Sequence, residues 1–331
     1  MSGPAALADF SADLVGDPGA LTEVPTVEWH GWQAVARTGG VAVVTWRSQA
    51  RAAAAAGIVN QQSSAGLCGF AQAVVRIGKG RDATLADLAA AWQALAPGGR
   101  LLIAGQNDIG IATWAKRLSA LLGVSGTILV NRGHGRVVEF PRNHAVLPAV
   151  PPACVQLPDG RPLSVDPGVF SADGLDEGTA LLLDVLATWT SPNEGPIARI
   201  VDVGCGAGHL GIAAATRWPS AEVLLLDADA RAVACAAANA TGSPTITVTW
   251  WDDQDPWPWP DADLALLNPP CHAGSLFDLT VARRLFAVTK ARHVLVVANR
   301  QLAYEADLHR LGELRQVADN GRFKVLELTR F

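Results

Sequence analysis

Cysteine is scarce in this chain: Cys68, Cys154, Cys205, Cys235 and Cys271 are widely spaced, odd in number and form no CxxC pair. That pattern argues against a disulfide framework or a metal site and suits the reducing cytoplasm. The opening MSGPAALADFSADL is not expected to act as a signal peptide, since it has no basic segment and carries early acids. No apolar run approaches the roughly 20 residues a membrane span requires; the alanine tract Ala52–Ala56 is far shorter. Charge is thin as well, at 17% of residues against 50% apolar, so material for packed cores is ample.

What is present divides into two. A length of 331 residues favours two domains. Residues 1–150 hold 12 Lys and Arg against 9 Asp and Glu, a net of +3, while the remainder holds 14 against 22, a net of −8. The first half is therefore the better candidate for touching a polyanion.

The second half alternates apolar runs with helical spacing: ARIVDVG, HLGIAAATRW, AEVLLLD, ARAVACAAANA, TITVTW, DLALLN, LTVARRLFAVTK and HVLVVAN. Strands separated by helices of about 10–15 residues imply an α/β fold with a mainly parallel, doubly wound, Rossmann-like sheet. The closing pair of strands is expected to run antiparallel at one edge. The first half is less regular until Thr84, after which RLLIAGQNDIGIATWAKRL has the outline of HVLVVANRQLAYEADLHRL. GRVVEF (Gly135–Phe140) then matches FKVLEL (Phe323–Leu328), so an internal duplication is expected. The expected domains are 1–145 and 166–331, joined by a proline-rich linker at 146–165.

VDVGCGAGHLG (Val201–Gly211) reads as a strand entering a glycine turn at a helix start, where free N–H groups meet a ligand. Gly206–Gly211 fits the GxGxxG of dinucleotide folds, with Asp227 placed 21 residues beyond Gly206. Asp202 through Gly208 also fits the DxGxGxG loop of S-adenosylmethionine (SAM)-dependent methyltransferases. Asp202 favours the second reading, because an acid repels a diphosphate and attracts a sulfonium and an ammonium. Gly204, Cys205, Gly206 and Gly208 would form the cradle. Asp227 would take the ribose hydroxyls, and Asp252 or Asp253 the adenine amine.

Farther along, LALLNPPCHAG ends a strand in Asn268-Pro269-Pro270. Ligands of doubly wound sheets bind beyond the carboxyl ends of strands. An exocyclic amine is a poor nucleophile because its lone pair is conjugated into the ring. An amide oxygen and a main-chain carbonyl can accept its two N–H bonds and aim the lone pair at a methyl group. Two prolines would stiffen that arrangement, so catalysis would be mostly positioning.

The second half resembles the bacterial small-subunit (16S) ribosomal RNA guanine-N2 methyltransferases, class I enzymes with an Asn-Pro-Pro-aromatic motif. PGVFSADGLDEGTALLL, VDVGCGAG, LLNPPCH, VVANRQLAYE and GRFKVLELTR carry the likeness across most of Pro167 to Arg330. The resemblance implies two tandem methyltransferase-like domains, the first degenerate and serving substrate binding. It implies SAM as cofactor, no metal, no membrane, and ribosomal RNA or the small subunit as partner. It also implies that the segment holding Phe170 closes over the cofactor.

Cys271 stands where the family has an aromatic that stacks on the target base, leaving His272, Phe170 or the Trp250–Trp251 pair for that task. Lys324 would support the site or meet a phosphate. Arg76, Lys79 and Arg81 of VVRIGKGRDAT, with Arg132, His134 and Arg136, are the expected phosphate contacts. Two alternatives stay open: methylation of another planar amine (adenine N6, protein glutamine or a small metabolite), and a non-catalytic RNA-binding homologue.

Overall fold

The computed structural model describes residues 15–330 except 16, 18, 19, 193, 194, 260, 271, 274, 275 and 278, and gives the backbone alone at 272, 273, 276 and 277. The chain divides between Pro151 and Pro152 into two compact units.

The first unit runs β1 (Thr26–Trp29), α1 (Gln33–Thr38), β2 (Gly40–Val43), α2 (Arg47–Ala55), β3 (Asn60–Gln61) and β4 (Phe70–Arg76). It continues through α3 (Arg81–Ala94), β5 (Leu95–Gln106), α4 (Ile111–Leu122), β6 (Thr127–Arg132) and β7 (Gly135–Pro141). The second unit runs β8 (Ala153–Gln156), β9 (Pro162–Val165), α5 (Glu177–Thr188), β10 (Arg199–Val203), α6 (His209–Arg217), β11 (Glu222–Asp227) and α7 (Ala230–Asn239). β12 (Ile246–Trp250), β13 (Ala262–Leu267), β14 (His272–Ala273), β15 (Leu276–Phe277) and α8 (Thr280–Val288) follow. It closes with β16 (Ala291–Asn299), α9 (Glu305–Leu308), β17 (Gly312–Asp319) and β18 (Phe323–Arg330).

The two main sheets have one topology: β3-β2-β1-β4-β5-β7-β6 in the first unit and β12-β11-β10-β13-β16-β18-β17 in the second. Five strands of each pair in parallel, and the last two pairings are antiparallel because β7 and β18 run against the rest. Successive strand residues feed opposite cores. Ile200, Leu264, Leu266, Leu295 and Val297 pack with Leu182, Leu186 and Leu210. Val201, Val203, Ala265, Leu267 and Val296 pack on the other face with Leu285, Phe286 and Tyr304. Strands buried on both faces read as unbroken apolar runs, which is why DLALLN and HVLVVAN are legible as strands.

The register equates the halves residue by residue. Trp29 pairs with Val75 as Val203 pairs with Leu267. Glu28 therefore stands where Asp202 does, and Arg76 where Asn268 does. Val43 faces Trp29 as Leu226 faces Val203, so the buried Val44 takes the place of Asp227. Glu139 lies across from Leu102 as Glu327 lies across from Leu295, in agreement with the expected match of GRVVEF to FKVLEL.

Two expectations change. Residues 153–165, assigned to a linker, form the antiparallel β8–β9 hairpin of the second unit. Its prolines are harmless, since Pro158 lies in the Leu157–Arg161 turn and Pro162 opens a strand. Val155 and Val165 pack with Ala207 and Cys235.

Arg76, expected at a phosphate, is only 3% exposed. Its Nε and Nη2 donate to Oε1 of the fully buried Glu28 at 3.0 and 2.6 Å, and Nη2 also reaches Gln33. A Cβ on Gly31 would lie 2.2 Å from Arg76 Nε, so the guanidinium lies against the turn after β1. The side chain of the last β4 residue points inward, and a buried guanidinium needs a carboxylate. We expect Arg76→Ala to cost about 3–5 kcal/mol by stranding the Glu28 charge. Urea denaturation of the full chain would show this, with Glu28→Gln/Arg76→Met recovering most of the loss.

Candidate active site

The site lies at the carboxyl ends of β10, β11 and β13. After Val203 the chain turns through Gly204, Gly206 and Gly208, all at positive φ (77°, 56° and 92°). The N–H groups of Gly204 and Cys205 donate to Leu226 O at 2.8 and 2.9 Å, binding the turn to β11. A Cβ on Gly204 or Gly206 would meet nothing within 4 Å, so the turn borders open space. Gly211 is needed for a different reason: a Cβ there would lie 2.0 Å from a Leu225 methyl, so α6 packs on the sheet only with glycine.

Asp202 is buried beneath the turn. Its Oδ2 accepts the Gly211 N–H at 2.8 Å, and Oδ1 has no hydrogen-bond partner. Burial pushes its carboxyl up to about 7, opposed by the Gly211 bond and reinforced by Asp227. Asp227 accepts the N–H groups of Gly206 at 2.8 Å and Asp229 at 2.9 Å, and burial raises it to about 6. Acids held short of full ionisation by burial make the surroundings of the turn favourable to positive charge. The Cys205 thiol is buried and pushed well above its usual value, mainly by desolvation, so it is no nucleophile.

Asn268 follows β13 and is half-buried, with Pro269 buried and Pro270 exposed. Its Nδ2 donates to Asp176 Oδ2 at 3.1 Å and to Thr179 Oγ1 at 2.9 Å. Cys271 lies outside the described residues, and His272 is described only as the first backbone position of β14. Phe170 is 46% exposed, next to Ser171 at φ 68°.

Other expected residues fall elsewhere or are engaged. Asp252 is buried and its Oδ1 takes the Gln254 N–H at 3.0 Å. Asp253 pairs with Arg284 of α8. Trp251 is buried against Trp257 and cannot stack on a base, whereas Trp250 is half-buried with Nε1 bonded to Ala228 O. Lys324, 6% exposed, pairs with Glu305 at 2.5 Å; the β18 position opposite Ala298 places its ammonium against α9 rather than at a phosphate. Lys79 and Arg81 are exposed in the first unit, and Arg132 pairs with Asp17.

Sequence reasoning missed three groups. Asn239 donates to Ser164 O at 2.8 Å and Ala207 O at 3.0 Å and accepts the Ser164 N–H at 2.8 Å, so it ties the hairpin to the glycine turn. His209 is buried with Nε2 unpartnered; burial lowers its pKa, and nearby Asp176 opposes that. Asp176 and Thr179 lie in the quoted LDEGT, where a Ser/Thr/Asp cap pattern was the available signal. Among the described residues no cluster of His, Cys, Asp or Glu could hold a metal, and no helix is long and apolar enough to cross a membrane.

Comparison with known proteins gives the family. The methyltransferase small domain model matches residues 161–327. Ribosomal RNA small subunit methyltransferase C of Pseudomonas putida (strain W619) is 33% identical over 276 residues, 79% of this chain and 80% of that protein. The protein of the same description from Salmonella choleraesuis (strain SC-B67) is 31% identical over 173 residues, 50% of this chain and 49% of its own length. Among solved structures, the T. thermophilus 16S rRNA N2 G1207 methyltransferase, in complex with AdoMet and guanosine, matches with a TM-score of 0.83. Its sequence identity is 24%, over 98% of this chain and 92% of that one. The likeness in sequence over both units, and the family model over the second, show that this chain belongs to the methyltransferase small-domain family, within the group of ribosomal RNA small subunit methyltransferases C.

Proposed function

We propose that this protein transfers a methyl group from SAM to the exocyclic N2 of a guanine in 16S ribosomal RNA, in the cytoplasm. The observation that carries the proposal is the Asn268 amide. Both its N–H bonds are taken at the mouth of β13, beside the glycine turn, which leaves the oxygen as an acceptor.

The residues present fit the donor. Open space borders Gly204 and Gly206, Asp202 has an unpartnered buried oxygen, and Asp227 is locked by two backbone N–H groups with lone pairs left for ribose hydroxyls. When bound there, SAM supplies an electrophilic methyl group. Asn268 Oδ1 and the Pro269 carbonyl accept the two N–H bonds of the guanine amine and direct its lone pair. The Pro269-Pro270 step keeps both acceptors in place, so the residues act by orientation rather than by removing a proton in advance.

The first unit takes no second donor on this reading. Val44 replaces the ribose acid, and the Arg76 guanidinium lies against the turn after β1. Its exposed Lys79 and Arg81 would meet RNA phosphates. Cys271, in place of the family's aromatic, leaves base stacking to His272 or Phe170, and it is the feature that favours a different planar amine as acceptor.

Tritium transfer from labelled SAM to 30S subunits, followed by digestion and mass analysis, should yield N2-methylguanosine. Label found only in another acceptor would overturn the RNA assignment. Asn268→Ala should lower kcat about 100-fold or more with donor Kd nearly unchanged, since it removes orientation and not cofactor contacts.

The two raised acids give a signed pH dependence. Asp202 must ionise to pair with a cation and Asp227 to accept from both ribose hydroxyls, so donor affinity should fall as pH drops below about 7, with proton release on binding visible as buffer-dependent heat in calorimetry. The free protein behaves oppositely. A carboxyl raised from 3.8 to about 7 stabilises the fold fully below 3.8 and loses that contribution as pH rises toward 7. Asp202→Asn should flatten this fall, read as Tm against pH.

A further inference from the structure

An asparagine amide has two ends of nearly equal shape and opposite polarity. Turned over, Asn268 would offer donors to a substrate amine that also offers donors, and the two would repel. Something must therefore set which end faces the cleft.

The start of α5 does this. Asp176, its N-cap, accepts the Thr179 N–H at 2.9 Å and Asn268 Nδ2 at 3.1 Å on the same Oδ2. The Thr179 hydroxyl lies 3.4 Å from that oxygen and donates to it, so a lone pair of Oγ1 faces Asn268 Nδ2 at 2.9 Å. A carboxylate has no proton to give. The chain of donors thus runs one way, from Asn268 through Thr179 to Asp176. The helix start is itself braced, because Glu177 takes Arg322 Nη1 at 2.7 Å and Asn320 Nδ2 at 3.2 Å from the β17–β18 turn.

We infer that Asp176 and Thr179 are positioning residues that fix the polarity of Asn268, so that the site accepts a nucleophile bearing two N–H bonds and rejects one that presents only lone pairs. The inference rests on the reading of Asn268 as the group that orients the acceptor amine.

Thr179→Val tests it without touching the cap, since Val keeps the shape and the backbone N–H and removes only the hydroxyl; Thr179→Ser restores the hydroxyl. On 30S subunits Thr179→Val should lower kcat about tenfold, the scale of one lost hydrogen bond. KM and Kd for SAM should stay at wild-type values, and Thr179→Ser should recover most of the rate. A general folding defect would move donor Kd as well. Equal kcat for the Val and Ser variants would overturn the inference.

A second readout needs no acceptor. The Asn268 side-chain amide, identified in nitrogen-15 spectra by its absence in Asn268→Asp, should exchange slowly with solvent in the wild type. Thr179→Val should speed that exchange while the backbone amides of α5 keep their protection. Unprotected exchange in the wild type would overturn the inference whatever the acceptor is. If the amide is protected but no subunit RNA is labelled, the proposed acceptor fails and the clamp stands.

Discussion

A buried acid at the end of the first sheet strand, bonded to the backbone of the following helix, is the contact on which each half depends. In the second unit Asp202 accepts the Gly211 N–H; in the first, Glu28 accepts those of Ala34 and Val35 at 2.7 and 3.3 Å. A helix start has unsatisfied donors and a partial positive charge, and a carboxylate answers both. The bond fixes where the helix begins relative to the strand and so sets how much chain bridges them. Acid and first bonded N–H are 9 residues apart in the second unit and 6 in the first. The extra length is the room that the glycine turn occupies.

The halves differ in how the remaining charge is met. Glu28 gives its other oxygen to Arg76, a cation fixed in the chain, while the corresponding oxygen of Asp202 has no partner. The register puts Arg76 and Asn268 at equivalent strand ends, and this exchange, with Val44 for Asp227 and the shorter turn, separates the two halves. Where the cation is built in, the ion pair is complete without a ligand. Where it is not, desolvation raises both acids toward neutral pH, an unfavourable state that on the proposed reading a bound cationic donor would relieve at Asp202.

The same contrast explains what the sequence made legible. The second sheet could be read because its strands are buried on both faces and separated by helices, and the site motifs sit at strand ends where such folds bind ligands. The first sheet could not be read before Thr84. Its strands β1, β2 and β3 are only 4, 4 and 2 residues long, and Glu28 interrupts the apolar run. Nothing near Glu28 accounts for a buried acid; its partner Arg76 is 48 residues away and sits among basic neighbours that suggest a surface loop. Lys324 misled in the same way, being answered by Glu305, 19 residues upstream. The hairpin carried a usable turn signal in Leu157-Pro158-Asp159-Gly160, but proline density pointed to a linker. Asp176 and Thr179 had no legible role, since their bonds to Asn268 span 92 and 89 residues.

The segment leading into the second sheet then gains a purpose that neither motif has alone. Ser164 on β9 is held by Asn239, whose amide also grips Ala207 in the glycine turn. A short distance on, Asp176 and Thr179 grip Asn268. One continuous stretch before the first parallel strand therefore bonds to the end of β13 directly and to the glycine turn through Asn239, the two places that on the proposed reading would orient an acceptor and cradle a donor. Methyl transfer in line demands that these two sides keep a fixed spacing, because a misplacement of about 1 Å can cost about 100-fold in rate. The sheet alone sets strand ends only to within the freedom of their loops. Cross-bonding those loops through a common segment removes that freedom, so on the proposed reading Asn239, Asp176 and Thr179 would serve the site by holding its two sides rather than by touching donor or acceptor.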